Sequence, residues 1–406
     1  MTLRLSTQSL YQQGLGSLLA RQAEMARTQQ QLSSGVKLTQ AKDDPVGMAT
    51  AQRLDHLKAA LTQYDSNALR VDHRLRMQEN ALTDANDSLT RARELAIQAN
   101  SGAVGADDRK AIAAEILQLR QNLLDIANRD DGNGRRLFAG TRDGVAPFTD
   151  SAGGVTYNGD DGRNSVEVAP DIAIVDGDPG SAVFVRVRTG DGYARGSVGA
   201  ANTGAGVLQM AQATDATTWD GAPLTLRFTS ANAYEVIDGT GSPLSPPVTG
   251  TWASGDVVPP SSAGLGVAFK VTGTPAAGDT FTIQTAPNQD VFATLQALAD
   301  ALVLPGNGPA DNARRVNAFG SAIGDITTAQ GHMMAIRSTV GARMNDIETA
   351  NDGRSLQSIT LAESIANLRE TDFAEAISRL NLQMVALEAA QKVMLQTQGM
   401  SLFSKL

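Results

Sequence analysis

The residues able to do chemistry are few and scattered. His56, His73 and His332 are the three histidines; each falls beside a run of apolar helical positions, and no two are one helical turn apart. That spacing provides neither a base beside a nucleophile nor a zinc-ligand pair, so exposed helix histidines are expected. Asp160, Asp161, Asp171, Asp176 and Asp178 crowd one stretch without EF-hand spacing or the glycine-rich repeat that holds calcium. Turn and solvation roles are expected for them. Cysteine is absent, which removes disulfides, thiolate ligands and cysteine nucleophiles. No Gly-Lys dipeptide occurs, so there is no Walker A loop, and GDGYARG at 190–196 lacks dinucleotide-loop spacing and reads as a hairpin turn. The expectation is a protein with no catalytic residue, no cofactor and no metal site.

The totals agree with a non-enzymatic reading. The 406 residues carry 34 Lys and Arg against 43 Asp and Glu, a net charge of −9, and only 4% aromatics. A nucleic-acid binder would present a basic face and rings for stacking. The start, MTLRLSTQSLYQQGLGSLLARQ, lacks a signal-peptide pattern, and no run approaches the roughly 20 apolar residues of a membrane span. Export, if it happens, is expected without a cleaved signal peptide.

What remains is long-helix chemistry. From Leu54 through Leu61, Ala68, Leu75, Leu82 and Leu89 to Ala99, apolar residues and Gln78 alternate steps of three and four. That is a coiled-coil seam of roughly 70 Å. Phe319, Ile326, Met333, Val340 and Ile347 repeat the pattern near the other end, with a break expected at Asp352-Gly353. Between the arms the chain is rich in Gly, Thr, Asp, Val and Pro. Val183, Val185 and Val187, and then Leu224, Leu226 and Phe228, show a period of two. VTYNGDDGRNSVEV reads as one hairpin. The expected fold class is α+β: long antiparallel coiled-coil helical arms from both termini with an inserted mainly-β domain. The boundaries read are 1–44, 45–140, 141–290, 291–352 and 353–406.

The terminal segments carry their own seams: Leu15, Leu18, Gln22, Met25, Gln29 and Leu32 at the start, and Phe373, Ile377, Leu380, Met384, Leu387, Gln391 and Met394 at the end, continuing to Gln398. Amide layers weaken a coiled coil while specifying register and partner, and Met400 adds another adaptable apolar side chain. These positions are the candidate assembly contacts. Between the first two helices lies LSSGVKLTQAKDDPVGMA. Gly35 suits a left-handed cap, Asp43 and Asp44 precede a helix start, and Pro45 fits its first position. This stretch is expected to be a joint.

LRLSTQSLYQQ, QLSSGVKLTQAKDDPVGMA and DDGNGRRLFAGTRDGVAPF resemble the N-terminal arm of the flagellin superfamily. The ending NLRETDFAEAISRLNLQMVALEAAQKVMLQTQGMSLFSKL resembles its hook–filament junction branch, the hook-associated protein 3 family. The resemblance implies a structural adaptor that is extracellular, in the bacterial flagellum, exported unfolded through the flagellar type III apparatus. The partners it implies are hook-associated protein 1, flagellin, further copies of itself in a ring, and a flagellar export chaperone. Flagellin, the filament subunit, is the alternative, because flagellins share the N-terminal arm.

Overall fold

The computed structural model describes residues 7–40, 42, 44–101 and 104–403, with side chains from 12 to 396. It contains α1 (Thr7–Ser34), α2 (Pro45–Ala99), α3 (Ala106–Ala127), α4 (Val291–Leu302), α5 (Pro309–Arg369) and α6 (Phe373–Phe403), with fourteen strands between α3 and α4. Two compact units result: residues 1–66 with 350–406, and residues 67–349. Long helical arms with an inserted β-rich region are thus the architecture, as the periodicity implies.

In the larger unit the α2 seam is dry. Leu75, Leu82, Ala85, Leu89 and Ala92 are fully buried, as are Ile326, Met333 and Val340 of α5. Gln330 donates to Thr90 at 2.8 Å and Arg337 to Glu79 at 2.6 Å, which fixes the pairing of α5 with α2. Gln78 is 1% exposed, and neither amide atom meets a partner. Beside this bundle, α3 packs on α4, and Phe138, Phe148, Phe184 and Phe292 join edge-on or tilted.

The β region begins with two short hairpins, β1 (Phe148–Ser151) with β2 (Gly154–Tyr157), and β3 (Ser165–Ala169) with β4 (Ile172–Val175). VTYNGDDGRNSVEV therefore is not one hairpin: it links two. The Tyr157 hydroxyl between them donates to the Phe138 and Asp160 carbonyls, and burial pushes its pKa up to about 12. Residues Ser181–Val185 form a π-helical turn instead of the expected strand, and only β5 (Val187–Arg188) is extended. Val183 and Phe184, adjacent in sequence, are both fully buried. A strand would point one of them outward.

Five antiparallel strands follow in the order β10 (Pro243–Thr251), β9 (Ala233–Asp238), β8 (Leu224–Ser230), β13 (Thr280–Thr285), β6 (Ala194–Val198). A second sheet orders β11 (Val257–Val258), β12 (Val267–Thr274), β7 (Ala205–Ala213). Leu224, Leu226 and Phe228 of β8 point inward with Phe269, Phe281, Trp219 and Trp252 to form one core. The period of two in the sequence is the inward face of β8. GDGYARG is a turn, as expected, yet it joins β5 to β6, which pair with different strands, so it closes no hairpin. The Asp160–Asp178 carboxylates are used in turns and ion pairs: Asp160 with Thr141, Asp161 with Arg186, Asp176 with Asn164, Asp178 with Arg343. Asp171 adopts φ +63° at the β3–β4 turn.

The expected break at Asp352-Gly353 does not occur, and α5 runs through it. Glycine costs a helix interior about 1 kcal/mol relative to alanine, too little to end one that is held by packing. Arg354, 5% exposed, bonds to Asn351 one turn back and pairs with Asp65 of α2 at 3.4 Å. The helix ends instead at Arg369.

One ion pair ties α3 to β1: Arg120 donates to both oxygens of Asp150 at 2.7 and 2.8 Å. That hydrogen bond holds the Asp150 carboxyl below its ordinary pKa. A depressed carboxyl contributes stability above its unfolded pKa and loses it as pH falls through the lower folded value. Arg120→Ala is expected to cost about 1–2 kcal/mol at neutral pH. In urea unfolding, the gap between variant and parent should close below about pH 4.

Candidate assembly surface

The smaller unit holds every sequence-predicted site residue that can be described. Its centre is a joint. The α1 helix stops because Gly35 takes φ +70°, and its N–H reaches back to the Gln31 carbonyl at 2.9 Å. A non-glycine residue there would meet Cβ strain of about 1–2 kcal/mol. The chain then pairs with the segment after α5: Val36 bridges Glu370, Lys37 N–H donates to Arg369 at 2.7 Å, and Thr371 N–H donates to Gly35 at 2.9 Å. Lys37 also sends its ammonium to the Asn367 carbonyl at 3.1 Å, placing positive charge at the C-terminal end of α5.

The next helix is capped as the sequence implies. Asp44 Oδ1 accepts from the Val46 and Gly47 N–H groups at 3.1 and 2.9 Å, and Pro45 is the first residue of α2. A Cβ on Gly47 would lie 2.3 Å from the Asp44 carboxylate, so Gly47 makes room for the cap. Asp43 lies outside the described residues. A matching cap that sequence reasoning missed starts α6, where Asp372 Oδ1 accepts from Ala374 and Glu375 at 2.9 and 3.1 Å. Its signal was present: Asp372 and Glu375 stand at N-cap and N3 spacing. Salt bridges Arg354–Asp65 at 3.4 Å and Arg369–Asp55 at 2.5 Å fix α5 to α2 beside the joint. Gln31, Lys37, Asn367, Glu370, Asp372 and Arg379 surround a polar groove of 340 Å³.

Since the end of α1 meets the start of α6, the two contacting helices are antiparallel. The seam between them is not the predicted one. Its inward positions are Leu18, Met25, Thr28, Gln31 and Leu32 on α1, against Ala376, Leu380, Gln383, Ala386, Leu387, Ala390 and Met394 on α6. Of the predicted residues, Leu18, Met25, Leu32, Leu380, Leu387 and Met394 face inward and are half-buried. Leu15, Gln22, Gln29, Phe373, Ile377, Met384 and Gln391 are exposed on the flank. The side chains of Gln398 and Met400 lie outside those described. The shift is small because large apolar residues lie on most sides of α6, so a period of 3.5 cannot choose its face.

That breadth is the main feature. Leu382, Val385 and Val393 are 69, 67 and 60% exposed on the side of α6 away from α1, and Phe373 and Ile377 are 54 and 50% exposed on its flank. A helix that is hydrophobic all round is one meant for burial on every side. Here the covered side holds Leu380, Leu387 and Met394 together with Ala376, Gln383 and Ala390, and further large apolar side chains are left outward. Covering each would contribute about 1–2 kcal/mol.

The comparisons with known proteins fall on the same segments. Residues 5–143 match the bacterial flagellin N-terminal helical region, and residues 323–406 match the bacterial flagellin C-terminal helical region. The crystal structure of Xanthomonas campestris FlgL is 40% identical, with a TM-score of 0.71 over 77% of this chain and 99% of that one. Flagellar hook associated protein-3 from Legionella pneumophila is 26% identical, with a TM-score of 0.74 over 78% of this chain and 98% of that one. Flagellar hook-associated protein 3 of Escherichia coli K12 is 22% identical over 402 residues, 99% of each chain. The flagellin regions cover the two ends, whereas these relatives extend across the β region as well.

Outward and inward apolar positions should respond oppositely to substitution. Leu382→Lys is expected to change monomer stability by less than about 0.5 kcal/mol while lowering self-association in sedimentation. Leu387→Ala, on the inward face, should lower the melting of the terminal helix pair by about 1–3 kcal/mol without that change in association.

Proposed function

Because the chain belongs to the flagellar hook-associated protein 3 (FlgL) family, we propose that it is the adaptor between hook-associated protein 1 and the flagellin filament. The family is a structural one of the flagellum, with flagellin-like ends and no enzymatic chemistry. In this reading the protein is exported unfolded through the flagellar type III apparatus without a cleaved signal peptide, and an export chaperone covers its C-terminal helix on the way. Copies then assemble as a ring.

The single observation that carries the reading is the outward apolar surface of α6 around Leu382, Val385 and Val393. A monomer gains nothing from it, and a packed assembly does. Residues 1–44 would form the inner layer with 370–406, since α5 runs unbroken to Arg369, with 45–140 and 291–369 the layer around it and 141–290 the outward part. The contacts assigned to the inner layer are Leu15, Gln22, Gln29, Phe373, Ile377, Met384 and Gln391 on the exposed flanks, with Leu18, Met25, Leu32, Leu380, Leu387 and Met394 holding the helix pair. Gly35, Asp43, Asp44 and Pro45 are the joint that lets the two layers take different tilts. Flagellin is the weaker reading, since the flagellin regions match only the two ends of the chain.

Deleting the gene should give cells with hooks but no filaments, and flagellin released to the medium. Complementation with Leu382→Asp/Val385→Asp should leave the protein folded and exported yet fail to restore filaments. Normal filaments in the deletion strain would refute the junction role. Wild-type motility of the double variant would refute the α6 contact.

A further inference from the structure

The β region from Thr189 to Pro287 joins the rest of its unit through a thin neck. β5 and β14 (Asn288–Gln289) pair over two residues each, Asn288 with Arg188 and Gln289 with Val187. Thr189 adds two bonds to the Pro287 carbonyl, at 3.1 Å from N–H and 2.9 Å from Oγ1. Beyond the neck, the two sheets enclose their own core. A domain entered and left through so short a ladder would be free to pivot unless something else held it.

Three side chains of α5 hold it. Asn317, 7% exposed, accepts from Leu208 N–H at 2.8 Å and donates to the Gly206 carbonyl at 3.0 Å. Its amide thus imitates a neighbouring strand along β7, the edge of the three-stranded sheet. About 12 Å further along the helix, Asp325, 4% exposed, accepts from Gly190 N–H at 2.7 Å and from Arg195 Nη2 at 2.8 Å. One turn on, the Thr328 hydroxyl donates to the Gly190 carbonyl. Beside these bonds the Gly190–Gly192 turn stands over a groove of 650 Å³ floored by Gly324 and Gly331. A Cβ at either glycine would meet nothing within 4 Å, so no side chain of these two positions props the turn.

We propose that Asn317, Asp325 and Thr328 form a polar latch that holds the β domain in one pose on α5, and that breaking it lets the domain pivot on the β5–β14 neck. The latch is specific rather than adhesive. Burial pushes the Asp325 carboxyl above its ordinary range despite the Gly190 and Arg195 donors, so the charge is kept there at a cost to stability. Buried polar groups of this kind tie one geometry, because any other leaves them unpaired.

The absence of cysteine makes the test clean. Ala231→Cys on the β domain and Ser338→Cys on α5, both exposed, take spin labels for a distance measurement on the full chain. The parent should give one narrow distance distribution. Asn317→Ala/Asp325→Ala should lose that single distance for a broad distribution, with Trp219 and Trp252 fluorescence unchanged. Amide exchange at Leu208 and Gly190 should run roughly ten- to a hundredfold faster. A distribution as narrow as the parent's would overturn the latch, since the neck alone would then fix the pose. If the double variant does not fold, Thr328→Val and Asn317→Leu are read singly. Broadening in either supports the latch, and unchanged widths in both overturn it.

Discussion

The helical arms of this chain depend on α2 and α5 finding one another across a long sequence gap. Gln330 reaches Thr90 over 240 residues, Arg337 reaches Glu79 over 258, and Arg369 reaches Asp55 over 314. Closing so long a loop is entropically expensive, but the cost grows only with the logarithm of its length. The β region between the arms can therefore be large without penalising the pairing much. A dry seam of Leu, Ile, Met and Ala repeated over many turns supplies the offsetting burial, and the arginine pairs choose the register.

The terminal helices follow a different rule. Their shared seam mixes Leu18, Met25, Leu32, Leu380, Leu387 and Met394 with Thr28, Ala376, Gln383 and Ala390 and is only half-buried, while Leu382, Val385 and Ile377 face outward. A protein selected for monomer stability alone would bury those outward side chains as well. A half-buried seam of this kind leaves apolar surface that only a neighbour can cover. The assembly then supplies the missing burial. The same logic separates the two kinds of amide: Gln22, Gln29 and Gln391 stay wet on the flank, whereas Gln78 is sealed inside α2's seam and costs stability there.

Positions governed by a local rule were legible in the sequence. Gly35 needs a positive φ, Asp44 needs two N–H groups ahead of it, and Pro45 needs a first-turn site; each is set by its immediate neighbours. The α2 and α5 seams were legible because their opposite faces are polar. The α1–α6 face was not, because apolar residues surround α6 and periodicity alone cannot say which side a partner takes. The helix through Gly353 was missed for a related reason: the penalty at glycine is local, and the Arg354 contacts that overcome it are tertiary. The turn at Ser181–Val185 looks like a strand in sequence because β-branched residues alternate there. Only the aromatic cluster around Phe184 reveals that both neighbours must be buried.

The β domain's edges add a constraint on how such a subunit can assemble. β10 is the outer strand of the five-stranded sheet, and it carries Pro243, Pro246 and Pro247 with a register shift between Pro243 and Val248. β11, the outer strand of the other sheet, is two residues long and runs directly into Pro259 and Pro260. Prolines withhold the N–H groups an incoming strand would need, and bulges and short edges do the same by geometry. Open sheet edges would pair with other chains in arbitrary registers. Proline and shortness close the β10 and β11 edges to such pairing, and Asn317 occupies part of the β7 edge.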